Sequence, residues 1–247
     1  MATILDKIVA SKRIEVDKAK GYTSIEELKN KSSYRRKTVS LATKLSQSSD
    51  INIIAEYKRA SPSKGTINKS GSLPQDVVMQ YEKSDAVASS ILTDQNFFKA
   101  QDDDFENARK NVNIPLLRKE FMIDEYQIYE AKAMGADVIL LIGAILDQSI
   151  AQQLTNLAHD LELEVLYEIH NQSELDHMPH NIDILGINNR NLKTFEVDYA
   201  HSIKILNELP ENYPVISESG ISHSDTIIEL YNAGSVSYTH LTLPTKA

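Results

Sequence analysis

The chain contains no cysteine. That excludes a disulfide framework and every thiolate metal site, and it suits a reducing cytosol. No apolar run reaches the ~20 residues that a helix needs to cross a bilayer, and no apolar segment with a small-residue cleavage site opens the chain. Positive charge is in deficit: 26 Lys and Arg stand against 35 Asp and Glu, a formal net charge of −9. A general nucleic-acid surface needs basic patches that neutralise phosphates, so a nucleic-acid partner is not expected. One small phosphorylated ligand can still be held by a few local groups. Metal ligands are also too few. Glu168 and His170 stand two apart and could share a face, but no further ligand has a recognisable spacing, and His177 and His180 read as polar helix and loop residues. What is present is 247 residues with 41% apolar content, enough for one large core. An α/β barrel runs as a single domain at this size. The expectation is a cytoplasmic single-domain protein spanning 1–247, with a monomer as the favoured assembly and no membrane contact.

Residues Thr3 to Lys20 read as an amphipathic helix. Ile4, Leu5, Ile8, Val9 and Val16 fall on one stripe, and Thr3 with Asp6 has the pattern of a capping box. A weaker helix follows near Ile25 to Leu28, then a polar stretch to Asp50, so residues 1–50 form an N-terminal helical extension. Beyond it, apolar strand-like runs at 51–56, 86–92, 114–118, 137–142, 163–169, 183–187 and 214–217 alternate with helical stretches. The helices fall at about 75–84, 103–111, 124–134, 147–161, 171–178, 198–208 and 223–233. Seven β-then-α units predict a parallel sheet with helices outside it. The strands finish at Lys58, Thr93, Lys119, Gly143, Glu168, Asn188 with Arg190, and Glu218-Ser219-Gly220. An open doubly wound sheet gives no reason for nearly every strand tip to carry a polar or glycine residue, whereas a (β/α)8 TIM barrel builds its site at that end. The barrel is the predicted fold.

An eighth unit is lacking. After Asn232-Ala233-Gly234 a barrel calls for an apolar strand, a glycine-rich loop and a closing helix, but the chain reads SVSYTHLTLPTKA. No helix can follow in the four residues after Leu243. The eighth βα unit therefore reads as missing or replaced, and residues 235–247 as a foreign tail from a frameshift, a cloning scar or an assembly artefact. Such a tail should fit the barrel poorly. It leaves strands one and seven with unpaired edges unless Val236 to Leu243 substitutes.

The chemistry concentrates in INIIAEYKRASPSKG, residues 51–65. Asn52 to Ala55 form a buried strand, and Glu56 and Lys58, two apart, stand on one face at its end. Burying both charges is costly unless they pair or meet a polar ligand. The hydroxyl-rich turn that follows, with Ser61, Pro62, Ser63 and Gly65, is suited to an anion. Lys119 ends a buried strand, where desolvation destabilises an ammonium and makes it a better proton donor. Glu168 ends another, where a carboxylate gains affinity for protons. Asn188 and Arg190 repeat the two-apart geometry, with a guanidinium fork suited to a carboxylate. Ser219-Gly220 opens a helix and presents N–H groups to an anion, near where barrels often hold phosphate.

The strings AEYKRASPSKG, SSILTDQNFF, PLLRKEFMIDEYQIYEAKAMGAD, LYEIH, GINNRNLKTFEVD and ISESGIS resemble, in the same order, those of indole-3-glycerol phosphate synthase, over residues 2–234. The resemblance implies a carboxy-lyase of tryptophan biosynthesis, which converts 1-(2-carboxyphenylamino)-1-deoxyribulose 5-phosphate into indole-3-glycerol phosphate with loss of carbon dioxide and water. It implies no metal and no organic cofactor. It further implies Lys119 as general acid in ring closure, Glu168 as acid–base partner in the later proton transfers and dehydration, and Lys58 as a catalytic lysine on the substrate carboxylate that is also a candidate acid in dehydration. Glu56, Asn188 and Arg190 would orient substrate and lysines, and Glu218 belongs with the substrate-binding set. Ser61, Ser219 and Gly220 would serve in the phosphate and substrate clamp, and the N-terminal helix would lie over the barrel mouth. The glycine-serine phosphate loop that the family carries after strand eight has no counterpart here. The alternative is an inactive or ligand-binding-only barrel. A sugar-phosphate isomerase explains Lys58 and Lys119 at strand tips less well.

Overall fold

Eight parallel strands close into a barrel in a computed structural model that describes residues 3–48, 50–191, 196–209, 213–221 and 223–241. The strands are β1 (Asn52–Tyr57), β2 (Ala88–Leu92), β3 (Leu116–Lys119), β4 (Val138–Ile142), β5 (Glu164–Ile169), β6 (Ile184–Asn188), β7 (Val215–Glu218) and β8 (Ser237–Leu241). Each pairs with its neighbours in sequence, and β1 closes the ring by pairing with both β2 and β8. Three helices precede the barrel, α1 (Ile4–Tyr22), α2 (Ile25–Lys29) and α3 (Leu41–Gln47). The outer layer is α4 (Pro74–Lys83), α5 (Gln95–Phe98), α6 (Asp104–Arg109), α7 (Glu125–Met134), α8 (Gln148–Asp160), α9 (Tyr199–Leu206) and α10 (Ser224–Asn232). The helix expected at 171–178 is instead a 3-10 turn, Gln172–His177, in which no residue is buried. Only Leu175 of this turn packs against the core, so the segment has little apolar face with which to hold a full helix against the barrel.

Alternation along the strands sorts two cores. Inward side chains Ile54, Ala88, Leu117, Val138, Leu140, Leu166, Ile184 and Ile216 pack together with Leu41 and Leu45 of α3. Glu164, at the start of β5, accepts from the N–H groups of Leu41 (2.8 Å) and Ala42 (3.0 Å) and from the Ser40 hydroxyl. It caps α3 and fixes that helix as the floor of the barrel. Outward side chains such as Ile91, Leu116, Ile139, Leu141, Val165 and Tyr167 pack under the helices.

Asp137, fully buried just ahead of β4, staples the extension to the barrel. It accepts from Val39 N (2.8 Å), Leu116 N (2.8 Å) and Arg109 Nη1 (2.8 Å), and it pairs with Arg36. Asp137→Ala removes the carboxylate partner of two guanidiniums and leaves the buried Leu116 N–H and the half-buried Val39 N–H without their acceptor. We expect a loss of about 3–5 kcal/mol, read as a lower midpoint in urea unfolding; a shift below 1 kcal/mol would contradict the staple.

The eighth strand corrects the expected misfit of the tail over the described residues 235–241. Ser235, Ser237, Tyr238 and Thr239 are all buried, and β8 runs in register from Asn52↔Ser237 to Glu56↔Leu241 on one side and from Ser237↔Ile216 to Thr239↔Glu218 on the other. Strand pairing uses backbone groups whatever the side chains, and threonine and tyrosine suit a pleated surface. Tyr238 turns outward into the core under the helices, its hydroxyl donating to Ser235 O (3.1 Å), while Thr239 reaches the barrel mouth. The edges of β1 and β7 are thus covered. Residues 242–247 lie outside the described residues.

Candidate active site

A cavity of about 360 Å³ opens at the C-terminal mouth of the barrel. It brings together nine of the ten sequence-predicted site residues: Glu56, Lys58, Ser61, Lys119, Glu168, Asn188, Arg190, Ser219 and Gly220. The tenth, Glu218, is fully buried and lies outside the lining, beneath Lys119. Gly186 on β6 makes room for it: a Cβ there would collide with Glu218 Oε1.

Charges at the strand tips form one network. Lys58 is hydrogen-bonded to Glu56 Oε1, and Lys119 to Glu218 Oε2. Lys119 Nζ also lies 3.6 Å from Glu56 Oε2 and 3.8 Å from Glu168 Oε2. Glu56 therefore bridges the two lysines, and Lys119 stands among three carboxylates. The expected weakening of the Lys119 ammonium is corrected here. Burial does pull its pKa down, but Glu218, Glu56 and Glu168 outweigh burial and hold it well above the ordinary lysine value. Burial likewise opposes ionisation of Glu56, yet Lys58 and Lys119 bring it below the usual carboxylate range. The raised proton affinity expected of a strand-tip carboxyl is found at Glu218, pushed up to about 7 by burial, with Glu168 and Glu56 adding to it and Lys119 opposing.

One side of the cavity is built from turns. After β1, Ala60–Ser61 pairs with Gly65–Thr66 in a short ribbon, and Ser61 Oγ accepts from Lys64 N (3.2 Å). Across the mouth, Ser219 (φ 71°) and Gly220 (φ 75°) are both left-handed. This is uncommon for serine and easy for glycine. A side chain at position 220 would also strike Val197, 2.7 Å from the Cβ position. Ser222 and residues 192–195 lie outside the described residues.

Three features escaped sequence reading. The first is Asn189, buried beneath Asn188, whose Nδ2 donates to Glu218 O (2.7 Å), Ser219 O (3.1 Å) and Ser217 Oγ (3.0 Å) and so fixes the Ser219-Gly220 turn. The run NNRN carries no mark that tells its lining members from its supporting one. The second is Lys12, buried on α1 between Glu15 (2.6 Å), Asp94 (3.0 Å) and Glu120 (3.0 Å). These carboxylates overcome burial and hold its pKa above the ordinary value. The pairing sets α1 over the mouth, where Ile4, Leu5 and Ile8 line the cavity as expected of the extension. The third is an apolar wall of Phe98, Phe121, Leu140 and Ile142, with the two rings 6.1 Å apart, which gives an aromatic ring a place to lie. Among the described residues, no three His, Asp or Glu side chains are grouped to hold a metal ion, and no helix is long and apolar enough to cross a membrane.

The family model described as indole-3-glycerol phosphate synthase matches residues 5–238. Curated proteins of that name are similar over most of their length. The one from Bacteroides thetaiotaomicron is 46% identical over 234 residues, covering 95% of this chain and 89% of the relative. That from Bacillus mycoides is 47% identical over 238 residues, with the same coverage. That from Burkholderia multivorans is 42% identical over 224 residues, covering 90% of this chain and 85% of the relative. Among solved structures, the N-acetylmannosamine-6-phosphate 2-epimerase from Clostridium perfringens aligns with a TM-score of 0.57 at 11% identity, over 77% of this chain and 86% of that one. That likeness is one of fold alone.

Proposed function

Since this chain belongs to the indole-3-glycerol phosphate synthase family, we propose how its strand-tip groups divide the labour of that reaction. The protein closes the indole ring of 1-(2-carboxyphenylamino)-1-deoxyribulose 5-phosphate, with loss of carbon dioxide and water. In ring closure the aromatic carbon attacks the ketone carbon, and negative charge develops on the ketone oxygen. Lys119 donates a proton there. The carboxylates around it hold the ammonium protonated and in place until charge builds on the ketone oxygen. Glu218 acts through Lys119 by holding its ammonium in place. The bond to the carboxylate then breaks, releasing carbon dioxide and restoring the benzene ring, and Glu168 moves protons in the dehydration, where a carbon-bound proton is removed and the hydroxyl leaves as water.

Lys58 binds the substrate carboxylate, and Glu56 keeps the two ammoniums apart and oriented. Asn188 and Arg190 add donors on the opposite side. Ser61, Ser219 and Gly220 hold the phosphate, with the phenyl ring against Phe98 and Phe121. Gripping both ends folds the substrate so that ring carbon and ketone meet. The observation that carries this assignment is Lys119 standing within 3.8 Å of Glu168 and 3.6 Å of Glu56 in one enclosed cavity. The acidic, cysteine-free composition suits work in the cytoplasm.

The test is turnover of the carboxyphenylamino-deoxyribulose phosphate, followed by indole fluorescence. Glu168→Gln should lose about a hundredfold or more in kcat while binding substrate within about threefold of the parent. Full kcat in that variant would remove Glu168 from the proton transfers.

A further inference from the structure

Beside Glu168 lies a buried titratable group that no step above uses. His170 stands two residues on and shares its face. Its side chain is about 10% exposed and is absent from the cavity lining. Nε2 lies 3.4 Å from Glu168 Oε1, and Nδ1 lies 3.6 Å from Glu174 Oε2. Neither ring nitrogen has a hydrogen-bond partner among the described residues, and nor does Glu168 Oε2. The backbone is pinned on both sides of the ring: His170 N donates to Glu174 Oε2 (2.8 Å), and His201 Nε2 of α9 lies 3.0 Å from His170 O. An imidazole is thus wedged between two carboxylates, a few tenths of an ångström beyond ordinary hydrogen bonds, with its backbone unable to swing away.

We propose that His170 is a positioning residue for Glu168, an imidazole backed by Glu174 that holds the Glu168 carboxyl as its proton comes and goes. The proposal rests on Glu168 being the group that moves protons. A single proton is shared. With Glu168 ionised, the imidazolium donates from Nε2 to Glu168 and from Nδ1 to Glu174. When that proton passes to Glu168, the neutral ring accepts at Nε2 and keeps its Nδ1–H on Glu174. Charge and proton count are conserved, and Glu168 has a fixed partner in both states.

The groups facing the ring are Glu168 on β5, Glu174 on the following turn and, farther off, Glu218 on β7, with Lys119 across Glu168. Burial pulls the imidazolium pKa down, but Glu174 and Glu168 outweigh it and raise the pKa above the ordinary histidine value. As pH climbs past that point the pair loses its shared proton, so kcat should fall on the alkaline side.

The experiment measures kcat and KM across pH in the parent, His170→Ala, His170→Gln, Glu174→Gln and Glu168→Gln. His170→Ala should lower kcat about tenfold to a hundredfold with KM within about threefold, because the ring does not line the cavity. His170→Gln, which restores a donor that cannot titrate, should recover part of the rate and lose the alkaline limb. Glu174→Gln should keep the ring but move the alkaline limb to lower pH by about one unit, since the carboxylate that favours the imidazolium is gone. An unmoved limb in Glu174→Gln overturns the proposal, whether or not His170→Ala folds. Loss of turnover in Glu168→Gln with parental behaviour in the other variants overturns this inference alone. Full turnover in Glu168→Gln overturns the role of Glu168 itself.

Discussion

Lys119→Ala is expected to lower kcat about a thousandfold while KM changes by less than about tenfold. The ammonium sits at the tip of β3, half-buried among Glu218, Glu56 and Glu168. Before substrate arrives its charge is already balanced, so it adds little to ground-state binding. Its proton gains value as charge builds on the ketone oxygen, and an interaction that strengthens only in the transition state appears in kcat. Removing it also leaves Glu218, whose pKa is already about 7, without its nearest cation. In Lys119→Ala that carboxyl should therefore take up a proton at still higher pH. In the parent, Glu218 must be ionised to hold the ammonium, so kcat/KM of the free enzyme should rise with pH through about 7 and level above it. Glu218→Gln should flatten that limb. Near-normal kcat in Lys119→Ala would move the general-acid role to Lys58, the other ammonium bonded to Glu56.

What was legible in the sequence follows from how each feature is encoded. Strand positions repeat apolar residues with a polar tip, and all seven expected strands lie within two residues of their observed ends. That nine of the candidate residues line one cavity was legible because strand tips of a barrel must converge on one mouth. Proton affinities were not legible, because they depend on which tips meet across the barrel. A lysine beside one wall would have been weakened by burial, whereas Lys119 meets carboxylates from β1, β5 and β7. Lys12 was hidden for a similar reason, since its partners Asp94 and Glu120 lie some 80 and 110 residues away along the chain. The closure by β8 was hidden because its pairing is written in backbone groups, not in apolar side chains.

Replacing residues 235–247 by a full eighth unit, with apolar strand, glycine-rich loop and helix, is expected to tighten substrate binding about a hundredfold and raise the melting temperature by about 5 °C. We propose that these residues are foreign to the gene. The family match runs only to residue 238, and none of residues 235–247 is glycine. Ser61 and the Ser219-Gly220 turn, the groups proposed to hold the phosphate, line the cavity on the two sides of β8. A loop and helix N-terminus after β8 would add two or more charge-assisted N–H bonds, each contributing about 1.5–3 kcal/mol, which sets the hundredfold. The stability gain comes from the outer face. Ile228 and Tyr231 on α10, the helix that precedes β8, are 51% and 39% exposed. Covering them would contribute about 2 kcal/mol, and in a chain of this size each kcal/mol moves the midpoint by about 2–4 °C. On the proposed roles a phosphate loop bears on KM, and Lys119 and Glu168 on kcat, so the replacement should lower KM and leave kcat nearly unchanged. The nucleotide sequence after codon 234 is the decisive observation. Another reading frame that encodes an apolar strand, a glycine-rich loop and a helix supports a foreign tail. A gene that reads as given, with a protein that shows unimpaired substrate affinity, refutes it.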